Sequence, residues 1–420
     1  MKKILIPYGS VNIEITIADK NILEITYPQE VRRERPNIIL EQAIRRPLGN
    51  KSLSEFLKTR TRVLFVINDA TRPTKTSEVL DVINGNIKLQ YTQFIIGTGA
   101  HSAPCETDLH SIFGKHYGRY KEQITIHDAR DNTRHAYLGK TRYGNELWLN
   151  KKITSCDKLV VIGSVEPHYF AGYTGGRKSL LPGVAAYRTI EQNHKFALHP
   201  KARALNLIGN PIHEEMLDCV QAFGPERIFS FQMVLDKNHN IYKAFTGPIS
   251  ETFDMAVRHA QKYFSAKIPM KADIVVTVSQ PPFDVNLYQT LKAIEHGRLA
   301  LNQDGILIVV SPCPEGLGPD SFARLFKDQS SIQDAVENSK SRYHLGDHNA
   351  VNLLATTKQA HVWTITEIED RLLQNAGIMT SRSLQKAIEQ AITEKGRHAR
   401  ILFLMDGSLT VPIVRNTVPC

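Results

Sequence analysis

Short runs of Val, Ile, Leu and Phe recur along this chain at 63–68 (VLFVIN), 94–97 (FIIG), 159–163 (LVVIG), 274–278 (IVVTV), 305–310 (GILIVV) and 401–405 (ILFLM). Runs this short and this apolar read as buried strands. Helical patterns lie between them, at 250–264, 286–301 and 383–395. Strands alternating with helices predict an α/β protein with largely parallel sheets flanked by helices. At 420 residues the chain is long enough for two domains, each with a core of its own. The active site is then expected in the crevice between the domains.

The junction is marked by a change of composition. After the helical pattern that ends near Tyr263, residues 265–271 (SAKIPMK) are basic and interrupted by Pro269, and a new strand pattern opens at Ala272. This predicts a first domain over 1–267 and a second over 272–400, with 401–420 free to return to the first.

Composition excludes several classes. A hydrophobic fraction of 42% argues against general disorder. No stretch reaches the ~18–20 uninterrupted apolar residues of a membrane span. The five cysteines (Cys105, Cys156, Cys219, Cys313, Cys420) are widely spaced and form no C-x-x-C pair, which suits a reducing, cytoplasmic compartment. With 52 Lys plus Arg against 42 Asp plus Glu the net charge is +10. The basic residues are dispersed, with only short clusters such as Arg32-Arg33-Glu34-Arg35, so no nucleic-acid stripe is expected and small anions are the better match.

In open α/β sheets ligands bind beyond the carboxyl ends of the parallel strands. Here four such ends are polar or ionisable: Asp69-Ala70-Thr71-Arg72-Pro73, Gly99-Ala100-His101, Glu166-Pro167-His168 and Gln280-Pro281-Pro282-Phe283-Asp284. They are expected to face one crevice. Gly97-Thr98-Gly99-Ala100-His101-Ser102 starts like a dinucleotide fingerprint, but Ser102 holds the third glycine position and Pro104 follows, so the pattern reads as a tight turn that delivers an imidazole.

Residues 167–178 (PHYFAGYTGGRK) place Gly172, Gly175 and Gly176 within five positions. Glycines there permit positive φ, and exposed N–H groups would suit an anion such as phosphate. The spacing is not that of an ATP-binding P-loop. Arg177-Lys178 reads either as a solvated pair or as a ligand-facing amine of lowered pKa. His194 is expected in the early turns of a helix that starts at Thr189, with Leu198 where a second zinc histidine would stand. His213-Glu214-Glu215 likewise has Leu217 in place of the second His of H-E-x-x-H. Tyr288, Gln289 and Lys292 can share one helical face, which suits water or a carboxylate.

Taken together, residues 167–178 with Leu181-Pro182-Gly183, Thr189-Ile190 and Asn193-His194, Asp69-x-x-Arg72-Pro73, Gly97-Thr98-x-x-His101 and Tyr288-Gln289-x-x-Lys292 resemble the nickel-dependent lactate racemase family, in its order and over about residues 60–300. The resemblance implies a nickel-pincer nucleotide, a pyridinium mononucleotide that holds nickel through two sulfurs and a ring carbon. Lys178 would carry it covalently and His194 would ligate the nickel, with Asp69, Thr71, Gly175 and Gly176 as further cofactor contacts. His101 and His168 would be the two bases. Arg72 and Lys292 would hold a substrate carboxylate, oriented by Tyr288 and Gln289. The implied partners are a 2-hydroxy acid substrate and the proteins that make the cofactor. One departure stands out: Ser102 follows His101 where lactate-acting members are expected to carry Arg, which opens larger acids as substrates. The competing readings are a nicotinamide-dependent 2-hydroxy acid dehydrogenase, which would need the missing fingerprint, and a non-catalytic cofactor-binding protein, which would not need both His101 and His168.

Overall fold

The computed structural model describes residues 1–30, 34–58, 61–86, 92–326, 334, 337 and 343–415; Arg32, Arg33 and Cys420 lie outside them. The chain divides into two units, one of residues 30–262 and one of residues 1–29 with 263–420.

The unit of residues 30–262 is built on a six-stranded sheet in the spatial order Ile241–Pro248, Ile228–Leu235, Lys158–Ser164, Val63–Asn68, Gln93–Gly97, Ile124–Ile126. All neighbours are parallel except the first pair. From Val63–Asn68 the chain moves outward to Gln93–Gly97 and Ile124–Ile126, then returns to lay Lys158–Ser164 on the other side. The order therefore reverses between Val63–Asn68 and Lys158–Ser164, and the carboxyl ends of those two strands flank the crevice where such sheets bind ligands. The central strands are apolar throughout because they are buried: Phe65, Ile67, Phe94, Ile96, Val160 and Ile162 are all at or below 1% exposure and share one core with Phe113 and Tyr120.

The other unit also has a six-stranded sheet, all parallel, in the order Met379–Thr380, His361–Ile365, Leu301–Val310, Ala272–Val278, Ile401–Leu404, Ile22–Thr26. Its strands alternate between two cores. Val275, Leu307, Val309, Leu402 and Leu404 pack with the helices Leu287–Leu299 and Asp347–Gln359 on one face. Ile274, Val276, Ile306, Ile308, Ile401 and Phe403 pack on the other with the helix Leu384–Lys395 and with Ile4, Ile6, Ile15 and Ile17 of an N-terminal hairpin. Burial of both faces is the reason these strands lack polar alternation.

Two expected boundaries move. Residues 1–29 do not belong with the 30–262 unit, because Ile22–Thr26 pairs with Ile401–Leu404 and the hairpin covers the second sheet. Residues 401–404 do not return to the first sheet, since they pair with Ala272–Val278. The four polar strand ends also divide: three close one sheet, and the end at Gln280–Asp284 belongs to the other. No described helix is long and apolar enough to cross a membrane, and the four described cysteines are unpaired.

Phe94 is fully buried and its ring lies 5.3, 5.5 and 4.8 Å from those of Phe65, Phe113 and Tyr120. Phe94→Ala is expected to cost about 3–5 kcal/mol through lost burial and the cavity left behind, read as an earlier denaturant midpoint in the transition of the 30–262 unit.

Candidate active site

The first group of site residues sits where the sheet order reverses. Asp69 follows Val63–Asn68 and is buried, and its carboxylate accepts from Thr71 Oγ1 at 2.6 Å and from the Thr71 amide at 3.2 Å. His101, delivered by the Gly97–Ala100 turn of the next strand, brings its Nδ1 to 2.7 Å from Asp69 Oδ2. Burial works to raise the Asp69 carboxyl, but the His101 bond and charge, with Thr71 and Arg72, outweigh it and hold the group below the ordinary carboxylate range. An ionised Asp69 can only accept, so His101 Nδ1 carries a proton, and in the neutral form of the ring Nε2 is left as an acceptor. Arg72, one turn on, crosses the reversal point to Glu166 at 3.5 Å through Nη1. Beneath it Asn68 Nδ2 donates to Thr74 Oγ1 at 2.8 Å, and Thr74 meets Ser164 Oγ at 3.2 Å.

The second group is carried by the glycine-rich run after Lys158–Ser164. Gly172, Gly175 and Gly176 all have positive φ (+77°, +78°, +52°), as expected. At Gly175 a Cβ would stand 2.8 Å from Ser164 O, so this turn excludes a side chain on space as well as on conformation. The expected anion cradle is corrected: Gly175 and Gly176 are buried, and the Gly176 amide donates to Gln232 Oε1 at 2.8 Å. These glycines shape the turn Gly176–Ser179 and offer no row of exposed N–H groups.

Arg177 is not half of a solvated pair. It is 2% exposed. Its Nη2 donates to Ala171 O (2.9 Å) and Tyr173 O (3.2 Å), its Nη1 to Thr174 O and Gly175 O (both 3.4 Å), and its Nε to His213 Nδ1 at 2.7 Å. Phe253 backs the guanidinium at 4.1 Å. Burial, with the charge of Arg177, pushes His213 down to about 3, so its neutral Nδ1 accepts. The fork thereby binds four carbonyls of the loop that leads to Lys178.

Phe170 gathers the next three side chains. Lys178 Nζ lies 5.6 Å from its ring centroid, the His168 ring 4.4 Å and the His194 ring 5.1 Å. Lys178 and His168 are half-buried, and His194 is 9% exposed. The helix bearing His194 runs Tyr187–Lys195, starting two residues earlier than expected, so His194 stands in its last turn. The cause lies in the extended backbone of Ala186 (φ −62°, ψ 148°), which sets the helix start. The Ala171 amide donates to His168 Nδ1 at 3.3 Å, which leaves the proton of the neutral ring on Nε2.

Tyr288, Gln289 and Lys292 lie in the other unit on Leu287–Leu299, capped by Asn286 through the Gln289 amide at 3.0 Å. All three are half-buried. Tyr288 packs edge-on to Phe322 at 5.5 Å, and Lys292 Nζ lies 3.7 Å from the Phe283 ring centroid.

Residues 8–205 match the model of the lactate racemase N-terminal domain, and residues 267–412 that of the lactate racemase C-terminal domain. The chain belongs to the lactate racemase family. A lactate racemase of Thermoanaerobacterium thermosaccharolyticum is 30% identical over 355 residues, covering 81% of this chain and 82% of its own. That of Lactiplantibacillus plantarum is 25% identical over 425 residues, covering 97% and 99%. The solved lactate racemase apoprotein from T. thermosaccharolyticum superposes with a TM-score of 0.88 at 27% identity, over 98% of this chain and 100% of that one. A Thermotoga maritima protein, at 14% identity and a TM-score of 0.65 over 90% of this chain and 97% of its own, shares the fold. The family's named members are isomerases. Among the residues missed by sequence reasoning is the buried anchor Gln232, because a β-strand glutamine gives no local signal of what it will face; Glu166, named among the polar strand ends, is half-buried against Arg72.

Two outcomes test this geometry. Arg177→Lys keeps the charge but not the fork, and is expected to cost about 1–3 kcal/mol for each buried carbonyl left without a donor, read by equilibrium denaturation. Asp69 has a depressed folded pKa, so the stability it contributes is present above the unfolded carboxylate value and is lost as pH falls through the lowered value. Asp69→Asn should remove that part of the acid-side slope in a pH series of melting temperatures.

Proposed function

We propose that this protein interconverts the enantiomers of a 2-hydroxy acid, with lactate the first candidate, using a nickel-pincer nucleotide attached to Lys178. The observation that carries the reading is the gathering of Lys178, His168 and His194 around Phe170 in a chain of this family. The residues suit that group. Lys178 is a half-buried amine on a rigid turn, and His194 is a nearly buried imidazole, a good donor for a borderline metal. Among the described residues no three His, Cys, Asp or Glu side chains gather as a metal site, so nickel held here would draw its other donors from the nucleotide. Asp69 and Thr71 are proposed as further contacts to it; Gly175 and Gly176 act by shaping the turn. When bound, the group supplies an acceptor for the carbinol hydride, so that the substrate passes through its planar 2-oxo acid.

The chain's own residues move the proton and hold the acid. His101 Nε2 takes the hydroxyl proton, and Asp69 both fixes the ring and stabilises the imidazolium that forms. His168 serves the opposite enantiomer. For it to accept at Nε2 its ring proton must stand on Nδ1, which displaces the Ala171 amide, so His101 is the base in the ready state and His168 engages at the cost of a hydrogen bond. Arg72 is the proposed carboxylate clamp, steadied by its ion pair with Glu166. Lys292, Gln289 and Tyr288 are proposed, on the family resemblance, as further carboxylate-binding residues. Ser102, small and exposed beside His101, leaves the substrate tail open, and malate or a sugar acid follows lactate as a candidate. The cofactor would be made by other proteins, in a reducing cytoplasm.

The test is protein expressed beside the cofactor-making enzymes, offered a panel of enantiopure 2-hydroxy acids with chirality followed over time. Loss of optical purity with no free nicotinamide is expected; accumulation of a 2-oxo acid only when NAD is added would replace this reading with a dehydrogenase. Lys178→Ala should abolish the covalent mass increment, whereas His194→Ala should keep it and lose nickel. With loading confirmed, His101→Ala and His168→Ala should each lose ~10²- to 10⁴-fold in racemisation; wild-type rates would assign that ring to structure.

A further inference from the structure

The stretch His213-Glu214-Glu215, which lacks the second histidine of a zinc motif, lies near the start of the helix Pro211–Phe223. At 3.6 residues per turn, positions two apart point about 200° from each other, so His213 and Glu215 address different neighbours. His213 Nδ1 accepts from Arg177 Nε at 2.7 Å, and Arg177 immediately precedes Lys178. Glu215 is 0% exposed. Its Oε2 accepts from Asn193 Nδ2 at 2.9 Å and from Asn145 Nδ2 at 3.1 Å, and its Oε1 from Thr141 Oγ1 at 2.7 Å. Asn193 immediately precedes His194.

The two links differ in chemistry and agree in effect. Asn193 Nδ2 also reaches Ile212 O at 3.3 Å, and Asn145 Nδ2 reaches Thr189 O at 3.1 Å, one turn earlier in the 187–195 helix. That helix is thus held at two positions through one carboxylate and its donors, against both rotation and sliding. Among the described residues no Lys, Arg or His forms an ion pair with Glu215. A fully buried carboxylate served only by neutral donors is costlier than an apolar side chain of the same size, and what it provides is direction.

We propose that His213 and Glu215 are positioning residues that brace the Lys178 turn and the His194 helix against one another from opposite sides of the 211–223 helix. The proposal rests on Lys178 and His194 serving as attachment and ligand residues, and it concerns how their separation is set.

The experiment has an apoprotein arm and a loaded arm. In the apoprotein, hydrogen exchange is followed amide by amide. Glu215→Ala should speed exchange selectively in residues 187–195, and His213→Ala selectively in residues 171–178; equal or absent changes in the two segments would overturn the brace. In protein loaded with cofactor, Glu215→Ala should keep the covalent mass increment but release nickel to a chelator about 10- to 100-fold faster than wild type, the usual effect of removing an outer partner. Glu215→Gln should restore slow release, because its amide oxygen can take both Asn donors while the Thr141 hydroxyl turns to accept from its NH2. Wild-type release from Glu215→Ala would also overturn the brace. If Glu215→Ala does not fold, Asn193→Ala cuts the same link alone and should show the same two effects. A wild-type protein that takes up no adduct contradicts the proposed cofactor, while the exchange arm still decides the brace.

Discussion

A single buried guanidinium organises the site. Arg177 binds the carbonyls of Ala171, Tyr173, Thr174 and Gly175 and closes on His213, so a loop with three left-handed glycines, which entropy would otherwise leave open, is held in one shape. Phe170, His168 and Lys178 take their places from that loop. The cost of burying the charge is met by directed hydrogen bonds and by the charge of Asp254, and among the described residues no carboxylate hydrogen-bonds the guanidinium. The fork geometry of arginine makes this possible where a lysine would leave acceptors unserved.

The two histidines proposed as bases are held in unlike ways, and the difference has chemical content. His101 rests through its Nδ1 on an ionised Asp69. His168 receives the Ala171 amide at Nδ1 and stacks on Tyr169 with 9° between the ring planes, so its ring is fixed by packing and its proton by the backbone. A reaction that serves two enantiomers needs proton acceptors on two sides, and the two histidines proposed for that role follow two different strands, 93–97 and 158–164.

Much of this is legible in the sequence. The apolar runs at 63–68, 159–163 and 274–278 coincide with central strands because burial on both faces leaves no polar alternation to confuse them, and the Gly172, Gly175 and Gly176 cluster predicts positive φ correctly. What escapes is set by long-range pairing. Ile4, Ile6, Ile15 and Ile17 form a one-sided hairpin that packs on Ile274, Val276, Ile306, Ile308 and Phe403, more than 250 residues on in the sequence, so no local pattern assigns residues 1–29 to the second unit. Arg177 escapes because arginine is ordinarily a surface residue, and Glu215 because its partners come from two distant places in the chain, Thr141 and Asn145 from one turn and Asn193 from the 187–195 helix.

The central claim is that the carbinol hydrogen leaves and returns as a hydride while His101 and His168 handle only the hydroxyl proton. The most direct measurement is the fate of deuterium at C2 when loaded protein converts enantiopure 2-deuterated lactate in ordinary water, followed by mass spectrometry of the separated enantiomers. Retention of the deuterium in the opposite enantiomer is the result this account predicts. Its replacement by solvent hydrogen at the rate of inversion would mean that a C2 proton is removed by a base, and would contradict it.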